Sequence, residues 1–384
     1  MKKLMMTLFC TATLASCSVN TPEPEAAQEP LVYVGTYTSK GSEGIYVFRL
    51  NPASGELRPA HTISDRNNPS FLAVDAHRRR LYAVHELNNY LGADQGAVRA
   101  YSLDAETGKP AALNIQPSMG AHPCHIALDA DGRYLFLANY SGGNIAMLPI
   151  KEDGSLLPPS DVVQHSGSSV NKSRQEGPHA HSVNLSPDGR FLLAADLGID
   201  KIMIYRVDTQ GGKLLPNNPA FVAAAPGAGP RHLTFDPTGR RVYVINELNS
   251  SITAYNYDAA SGALTGIESV STLPQGFGGA NTCADIHVSP DGRFLFGSNR
   301  GHDSIVTFRI DDESGRLTLV GHTPSGGKTP RNFAVDPSGN FLLVANQNSD
   351  NIVVMRINRE TGALTTLHEV RVSMPVCIKM VERL

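Results

Sequence analysis

Five ionisable side chains occupy one kind of position in a repeated sequence unit, where they could bind an anion and move a proton. They are His181, Arg231, Glu247, Arg300 and Arg331. An imidazole or a carboxylate can act as a general base or acid, and guanidinium groups bind carboxylates, phosphates or a developing oxyanion. If these side chains converge, they place a base or acid beside an anion-binding site.

The unit that contains these residues recurs along the chain. Its clearest copy, residues 230–247, has a proline, an apolar strand ending in Asp, a turn with glycine, and a second apolar strand ending in Asn. The residue that closes the first strand recurs about every 50 residues, at Asp75, Asp129, Ser186, Asp236, Ser289 and Asp336. Each copy has room for four strand-like runs, and no segment shows a convincing helical period. These features predict the blades of a β-propeller.

The two termini supply a seventh copy in two pieces. Residues 375–380 read as a first strand with nothing after it, and residues 31–37 read as a second strand with nothing before it. Pairing them closes the ring and removes exposed edge strands. We therefore predict an all-β, seven-bladed β-propeller with four-stranded antiparallel blades, in which the N- and C-terminal strands share one blade.

The repeat also identifies the positions that share one rim of the channel. In a propeller the first strand of each blade lines the channel and pairs antiparallel with the second, so the start of one lies beside the end of the other. The first-strand starts are Ser70, Cys124, His181, Arg231, Ala284, Arg331 and Val376, and the second-strand ends are Glu86, Tyr140, Leu197, Glu247, Arg300, Gln347 and Tyr37. The ionisable members cluster in neighbouring blades, which favours a site over a merely solvated rim.

The position before each second-strand end shows a contrasting pattern. The seven blades carry His85, Asn139, Asp196, Asn246, Asn299, Asn346 and Thr36 there. Since four of the seven are Asn, we expect this residue to do a structural job that every blade needs, such as capping a turn.

Two polar, glycine-containing loops flank the predicted site and could act as lids: residues 167–177 and 275–281. Competing chemistries have little support. His179 and His181 are spaced to face one side of a strand, but no third ligand is evident, so we expect neither a metal nor another cofactor. The full phosphate-binding motif, Gly-x-x-x-x-Gly-Lys-Ser/Thr, and the nucleophile-elbow motif, Gly-x-Ser-x-Gly, are both missing from the sequence.

Four short sequence motifs are similar to those of a known protein family. They are residues 122–125 (HPCH), 139–144 (NYSGGN), 174–182 (RQEGPHAHS) and 229–232 (GPRH). From residue 31 onward the sequence resembles the lactonase seven-bladed β-propeller family, which includes bacterial 6-phosphogluconolactonases and fungal carboxy-cis,cis-muconate cyclases. The resemblance implies that the catalytic residues are His181, Glu247, Arg231 and Arg300. We expect His179, Arg331, Gln347 and Glu86 to bind substrate beside them.

The implied function is hydrolysis of a sugar-acid lactone or a related lactone, in which arginines bind the anion or carbonyl and His181 or Glu247 is the base. The choice between these two bases stays open. One alternative is a muconate-type lactonising cyclase, and another is a ligand-binding propeller of the cell envelope without catalysis. Lactone assays on the wild type and on Arg231→Ala would separate them.

The N-terminus predicts export and lipid attachment. Lys2 and Lys3 precede a short apolar stretch, and residues 14–17 (LASC) match a bacterial lipobox. We predict a signal peptide at residues 1–16, a lipidated Cys17 with a flexible tether at residues 17–30, and the propeller at residues 31–384. A plain signal peptide with an incidental cysteine is the alternative. The protein would then lie at the cell envelope, bound to its membrane through the lipid anchor alone.

Charge and cysteine content limit the partners. Loss of Lys2 and Lys3 with the signal peptide changes the formal net charge from −3 to −5, which argues against nucleic acid. The expected partner is a small-molecule lactone or sugar acid, and the expected assembly is a monomer or weak oligomer. Cys124, Cys283 and Cys377 are far apart and odd in number, so we expect buried thiols in place of a disulfide framework.

Overall fold

The computed structural model describes residues 29–384, which form 28 β-strands. The predicted signal peptide (1–16), Cys17 and all but the last two residues of the predicted tether (17–30) lie outside the described residues. Within residues 29–384, no helix is long and apolar enough to cross a membrane.

The strands form seven four-stranded antiparallel sheets. Blade 1 contains β4 (Leu72–Asp75), β5 (Arg80–His85), β6 (Ala97–Leu103) and β7 (Pro110–Pro117); blade 2 contains β8 (Pro123–Leu128), β9 (Tyr134–Asn139), β10 (Asn144–Pro149) and β11 (Asp161–Gln164); blade 3 contains β12 (Ala180–Leu185), β13 (Phe191–Asp196), β14 (Lys201–Asp208) and β15 (Lys213–Ala223). Blade 4 contains β16 (Pro230–Phe235), β17 (Arg241–Asn246), β18 (Ser251–Tyr257) and β19 (Leu264–Ser271); blade 5 contains β20 (Thr282–Val288), β21 (Phe294–Arg300), β22 (Ser304–Ile310) and β23 (Leu317–Pro324). Blade 6 contains β24 (Pro330–Val335), β25 (Phe341–Asn346), β26 (Asn351–Ile357) and β27 (Leu364–Arg371); blade 7 contains β28 (Pro375–Val381), β1 (Leu31–Thr36), β2 (Gly44–Leu50) and β3 (Leu57–Ser64).

Blade 7 closes the ring. β28 from the C-terminus pairs antiparallel with β1 from the N-terminus, with Val34 opposite Ile378. The prediction of a seven-bladed propeller whose last blade combines both termini is confirmed. Because β1 and β28 are buried on both sides, this pairing also completes the core between blades 6 and 1.

Apolar side chains hold adjacent blades together. Phe136 of blade 2 and Leu192 of blade 3 belong to one buried cluster, and Tyr243 of blade 4 and Leu295 of blade 5 belong to another. These middle strands are nearly continuous apolar runs because each is covered on both faces by its neighbouring blades. The three predicted thiols are free and buried in these described residues, as expected: Cys124, Cys283 and Cys377.

In five of the seven blades, the residue at the repeated Asn position joins its blade to the preceding one. Asn139 Nδ2 donates to the carbonyl of Ser118, which follows the outer strand of blade 1, at 2.8 Å. Asn299 and Asn346 make the equivalent bonds in blades 5 and 6. Blade 1 instead uses His85 and Asp65, and blade 3 uses Asp196 and His165. Asn246 and Thr36 instead bond within blades 4 and 7. The structural role was correctly expected, but in the other five blades the residue joins neighbouring blades.

A β-bulge starts most of the first strands. The residue skipped by the pairing register is the rim residue itself: Cys124, His181, Arg231, Arg331 and Val376. A bulged residue is released from the strand ladder and points differently from its neighbours. The bulge, which the sequence pattern did not reveal, therefore helps to aim these side chains at one mouth of the channel.

Candidate active site

The selected rim residues surround a cavity of about 320 Å³. Its lining consists of Glu86, Cys124, Tyr140, Arg174, His181, Glu247, Thr282, Arg300 and Arg331. Five of the eight residues expected from the sequence are in this set. The volume falls at the lower end of the range of small-molecule sites.

Glu247 lies at the centre of an arginine cluster. Its Oε2 accepts from Arg231 Nε at 3.0 Å and forms an ion pair with Arg300 Nη2 at 2.9 Å. Its Oε1 accepts from Arg174 Nη2 at 2.6 Å. Three guanidiniums therefore share one carboxylate, and the side chain of Glu247 is only 5% exposed. Charge-assisted hydrogen bonds of this kind fix the carboxylate in place.

The same contacts set the protonation state of Glu247. Burial opposes its ionisation, but Arg300, Arg231 and Arg174 together lower its pKa from 4.5 to about 2. Glu247 is consequently ionised throughout the physiological range and is a weak base. This favours a role in holding the guanidiniums over a role in proton transfer.

Arg231 supports the cluster from a buried position. It does not line the 320 Å³ cavity, and its side chain is 2% exposed. Its Nη1 donates to the carbonyl of Ala284 at 2.6 Å. Burial, with the nearby charges of Arg300 and Arg331, lowers the pKa of Arg231 to about 10, so it remains a cation at neutral pH. Arg231 therefore contacts Glu247 on the side away from the cavity and supports the site without lining it.

Arg300 lines the cavity and is also fixed by its neighbours. Its Nη2 donates to the carbonyl of Cys283 at 2.7 Å and forms the ion pair with Glu247. Its Nε is buried without a hydrogen-bond partner among residues 29–384. Buried unsatisfied donors are rare, and an active site is one place where they occur.

Of the arginines that line the cavity, Arg331 has the fewest contacts with polar groups of the described residues. It makes no hydrogen bond or ion pair with any residue of the described range, and its charge lies over the Tyr37 ring, 5.4 Å from the ring centroid. The Tyr37 hydroxyl donates to both carboxylate oxygens of Glu86, at 2.9 and 3.0 Å, and Ser70 donates to the same carboxylate. Glu86 is thus already hydrogen-bonded, whereas the donors of Arg331 have no partner within residues 29–384.

His181 contributes a neutral imidazole. Burial first, and then the charge of Arg231, holds its pKa well below the usual value of 6.5. Its Nδ1 lies 3.7 Å from the sulfur of Cys124, and its ring meets the Tyr140 ring edge-on at 5.3 Å. Burial raises the pKa of the Cys124 thiol far above its ordinary value, so this group stays protonated. His181 therefore offers a lone pair, and its ring forms no ion pair within residues 29–384.

Two residues expected to bind substrate lie outside the lining of this cavity. His179 stacks on Tyr140 with the ring centroids 4.6 Å apart, and its Nδ1 lies 3.1 Å from the Tyr140 carbonyl oxygen. It therefore packs behind Tyr140. Gln347 is half-buried, and its backbone N–H donates to the carbonyl of Thr329.

The structure adds Arg174 and Tyr140 to the site. Arg174 comes from the 167–177 loop, and its Nη2 also donates to the Tyr140 hydroxyl at 3.2 Å. Its side chain is 37% exposed, compared with 12% for Arg300, so it is the outermost cation of the cluster. Arg174 belongs to the motif at residues 174–182 that resembles the family. Because it is in a loop and not at a strand end, the comparison of equivalent positions in the blades did not identify it. The 275–281 loop leads directly into Thr282, another lining residue.

Comparisons with known proteins identify the family of the chain. Residues 31–380 match the family model described as lactonase, 7-bladed β-propeller. The chain is 36% identical over 301 residues to 6-phosphogluconolactonase of Bacillus subtilis (strain 168), covering 78% of this chain and 83% of the relative. Its fold is similar to the periplasmic gluconolactonase of Pseudomonas aeruginosa, with a TM-score of 0.85, 38% identity and coverage of 92% and 99% of the two chains. A crystal structure from Bacteroides fragilis NCTC 9343 matches with a TM-score of 0.87 and 38% identity, covering 94% and 100%.

The ring of seven blades, the rim of ionisable residues and these similarities lead to one assignment. The chain belongs to the seven-bladed β-propeller lactonase family.

Proposed function

We propose that this lactonase hydrolyses the lactone of a sugar acid in the cavity bounded by His181, Glu247, Arg300 and Arg331. The observation that carries the proposal is the pairing, in one cavity, of a neutral imidazole with an arginine cluster held by a buried carboxylate. Tyr140, Thr282 and Glu86 line the same cavity and suit the hydroxyl groups of a sugar ring. The relatives named 6-phosphogluconolactonase and gluconolactonase support the substrate class.

Arg300 and Arg331 would polarise the lactone carbonyl. Negative charge develops on the carbonyl oxygen during attack by water, and preorganised cationic donors stabilise it most where the surroundings are poorly solvated. Arg300 is 12% exposed and held by Glu247, so its orientation is set before substrate binds. Arg331 has no hydrogen-bond partner among the described residues 29–384, and it would bind the carboxylate formed when the ring opens.

His181 is the stronger candidate for the base. It takes a proton from the attacking water, whose oxygen forms a bond to the carbonyl carbon. The bond from that carbon to the ring oxygen then breaks, and the ring oxygen receives a proton to become a hydroxyl. The product is a hydroxy acid that ionises and releases one proton. Glu247 is less suited to this step because three guanidiniums share its charge.

The test is the rate of proton release from a lactone panel, corrected for spontaneous hydrolysis. Gluconolactone and 6-phosphogluconolactone represent the sugar acids, and a carboxymuconate represents the cyclisation substrate. We expect catalysed opening of at least one sugar-acid lactone and loss of most of that rate in His181→Asn. Cyclisation of the muconate without sugar-lactone hydrolysis would contradict the proposal, as would a purified, folded protein with no lactone turnover.

We also propose that Cys17 is lipidated and that the propeller faces the outside of a bacterial membrane. The support is the lipobox at residues 14–17 and the charged and apolar segments before it. The likeness to a periplasmic gluconolactonase is compatible with that location. An exported enzyme would meet lactones present in the envelope.

A further inference from the structure

Glu247 is the first member of a chain of four buried side chains that leads away from the cavity. Arg231 Nε donates to Glu247 at 3.0 Å, and Arg231 Nη1 lies 3.3 Å from His232 Nε2. His232 Nδ1 lies 2.7 Å from Asp285 Oδ1. The side chains of His232 and Asp285 are 7% and 4% exposed, so solvent replaces none of these contacts easily.

The chain dictates the tautomer of His232. A guanidinium has donors and no acceptor, so Arg231 can bond to His232 only if Nε2 carries a lone pair. The ring hydrogen must then lie on Nδ1, where it donates to the Asp285 carboxylate. Burial and the charge of Arg231 lower the pKa of His232 to about 4, which keeps the ring neutral at pH 7 and agrees with this arrangement.

Asp285 is itself held by three neighbours. Its Oδ2 accepts from the side chain of Asn332 and from the backbone N–H of Phe333, and His287 Nε2 lies 3.0 Å away. Asn332 and Phe333 belong to blade 6, whereas Asp285 and His287 belong to blade 5. These contacts hold the Asp285 carboxylate in one position. The carboxylate in turn determines the orientation of the His232 ring.

We propose that Asp285 and His232 are positioning residues that hold Arg231 in the orientation needed to align Glu247 and Arg300 for catalysis. The inference deepens the proposed lactone hydrolysis and rests on it. Without Asp285, His232 can place its hydrogen on Nε2, where it opposes the donors of Arg231. The guanidinium must then turn away, and Glu247 loses one of its three cations.

The decisive variant is Asp285→Asn, because an amide can donate to Nδ1 and thereby favour the opposite tautomer. We expect kcat to fall about 10- to 100-fold, the size seen when groups that orient a site residue are removed, while KM changes little. The nitrogen chemical shifts of ¹⁵N-labelled His232 should show the hydrogen moving from Nδ1 to Nε2. Asp291→Asn is the matched control, since it makes the same substitution in the same blade at a carboxylate that pairs with Arg293 near the surface, and it should retain wild-type kcat.

A second pair of variants separates positioning from folding. His232→Gln keeps an acceptor for Arg231 and should retain more kcat than His232→Phe, with both compared at equal folded fraction by circular dichroism. Equal kcat in all folded variants would overturn the proposal, as would an Nε2-bound hydrogen in the wild type. If the wild type opens no lactone, the proposed function fails, and the nitrogen shifts of wild type and Asp285→Asn still decide whether the carboxylate fixes the ring.

Discussion

Replacing Glu247 with glutamine removes the charge shared by Arg174, Arg231 and Arg300 and should destabilise the fold in a pH-dependent way. The pKa of Glu247 is lowered from 4.5 to about 2, and its side chain is 5% exposed. A shift of this size corresponds to roughly 3 kcal/mol of stability at pH 7. The loss in Glu247→Gln should therefore be about 3 kcal/mol there, within the range for breaking a buried ion pair.

The sign of the pH dependence follows from the direction of the shift. A lowered pKa in the folded state stabilises the protein above the unfolded pKa, and this contribution disappears as pH falls toward 2. By pH 3 roughly 1 kcal/mol of it should remain. The stability difference between wild type and Glu247→Gln should thus shrink by about 2 kcal/mol between pH 7 and pH 3.

Urea unfolding of both proteins at the two pH values measures this difference. Glu369→Gln is the control, because the Glu369 side chain is 46% exposed and its pair with Arg371 is at the surface. It should change stability by less than about 0.5 kcal/mol at either pH. A Glu247→Gln loss that is the same at pH 7 and pH 3, or that is no larger than the control's, would refute the reasoning.

Four further outcomes are expected. Arg331→Gln should lower kcat/KM about 10- to 100-fold in the proton-release assay, mostly through kcat, because Arg331 stabilises the charge that develops on the lactone carbonyl oxygen. Arg356→Gln, which changes an exposed arginine of blade 6, should have no such effect, and an unchanged kcat in Arg331→Gln would contradict this role. His181→Asn should lower kcat by about 10²- to 10⁴-fold in the same assay, and retention of full kcat would exclude His181 as the base. Arg174→Gln should lower kcat/KM while Lys172→Gln, in the same loop but exposed, leaves it unchanged; equal effects would mean that the loop acts only by its overall charge. Cys17→Ser should move the protein from the membrane fraction to the soluble fraction and abolish labelling by a fatty-acid analogue, and persistent membrane association would contradict lipidation at this residue.

The fold could be predicted from the sequence because each blade repeats the same spacing of strands and turns. The split copy at residues 31–37 and 375–380 was enough to predict ring closure, since a lone first strand and a lone second strand can satisfy their backbone groups only by pairing. The rim residues could also be identified, because the residue at the end of the second strand varied from blade to blade, while the residue before it was Asn in four of the seven blades. His181, Glu247, Arg300 and Arg331 reach the same cavity for this reason.

Other features of the site depend on contacts that no repeat encodes. Arg174 reaches Glu247 from a loop, and a loop's path follows from tertiary contacts that the spacing of strands does not reveal. Arg231 has the right position but lies behind Glu247, since its bulge and its bond to Ala284 decide its depth. The weak basicity of Glu247 is likewise a consequence of three converging cations, which single positions in a sequence cannot show.

A structure with a bound sugar-acid product tests the proposed site most directly. The open-chain hydroxy acid should occupy the 320 Å³ cavity with its carboxylate against the guanidiniums of Arg331 and Arg300. Its newly formed hydroxyl should lie beside the ring of His181. A product bound elsewhere on the propeller, or bound in this cavity with its carboxylate turned away from both arginines, would contradict the assignment.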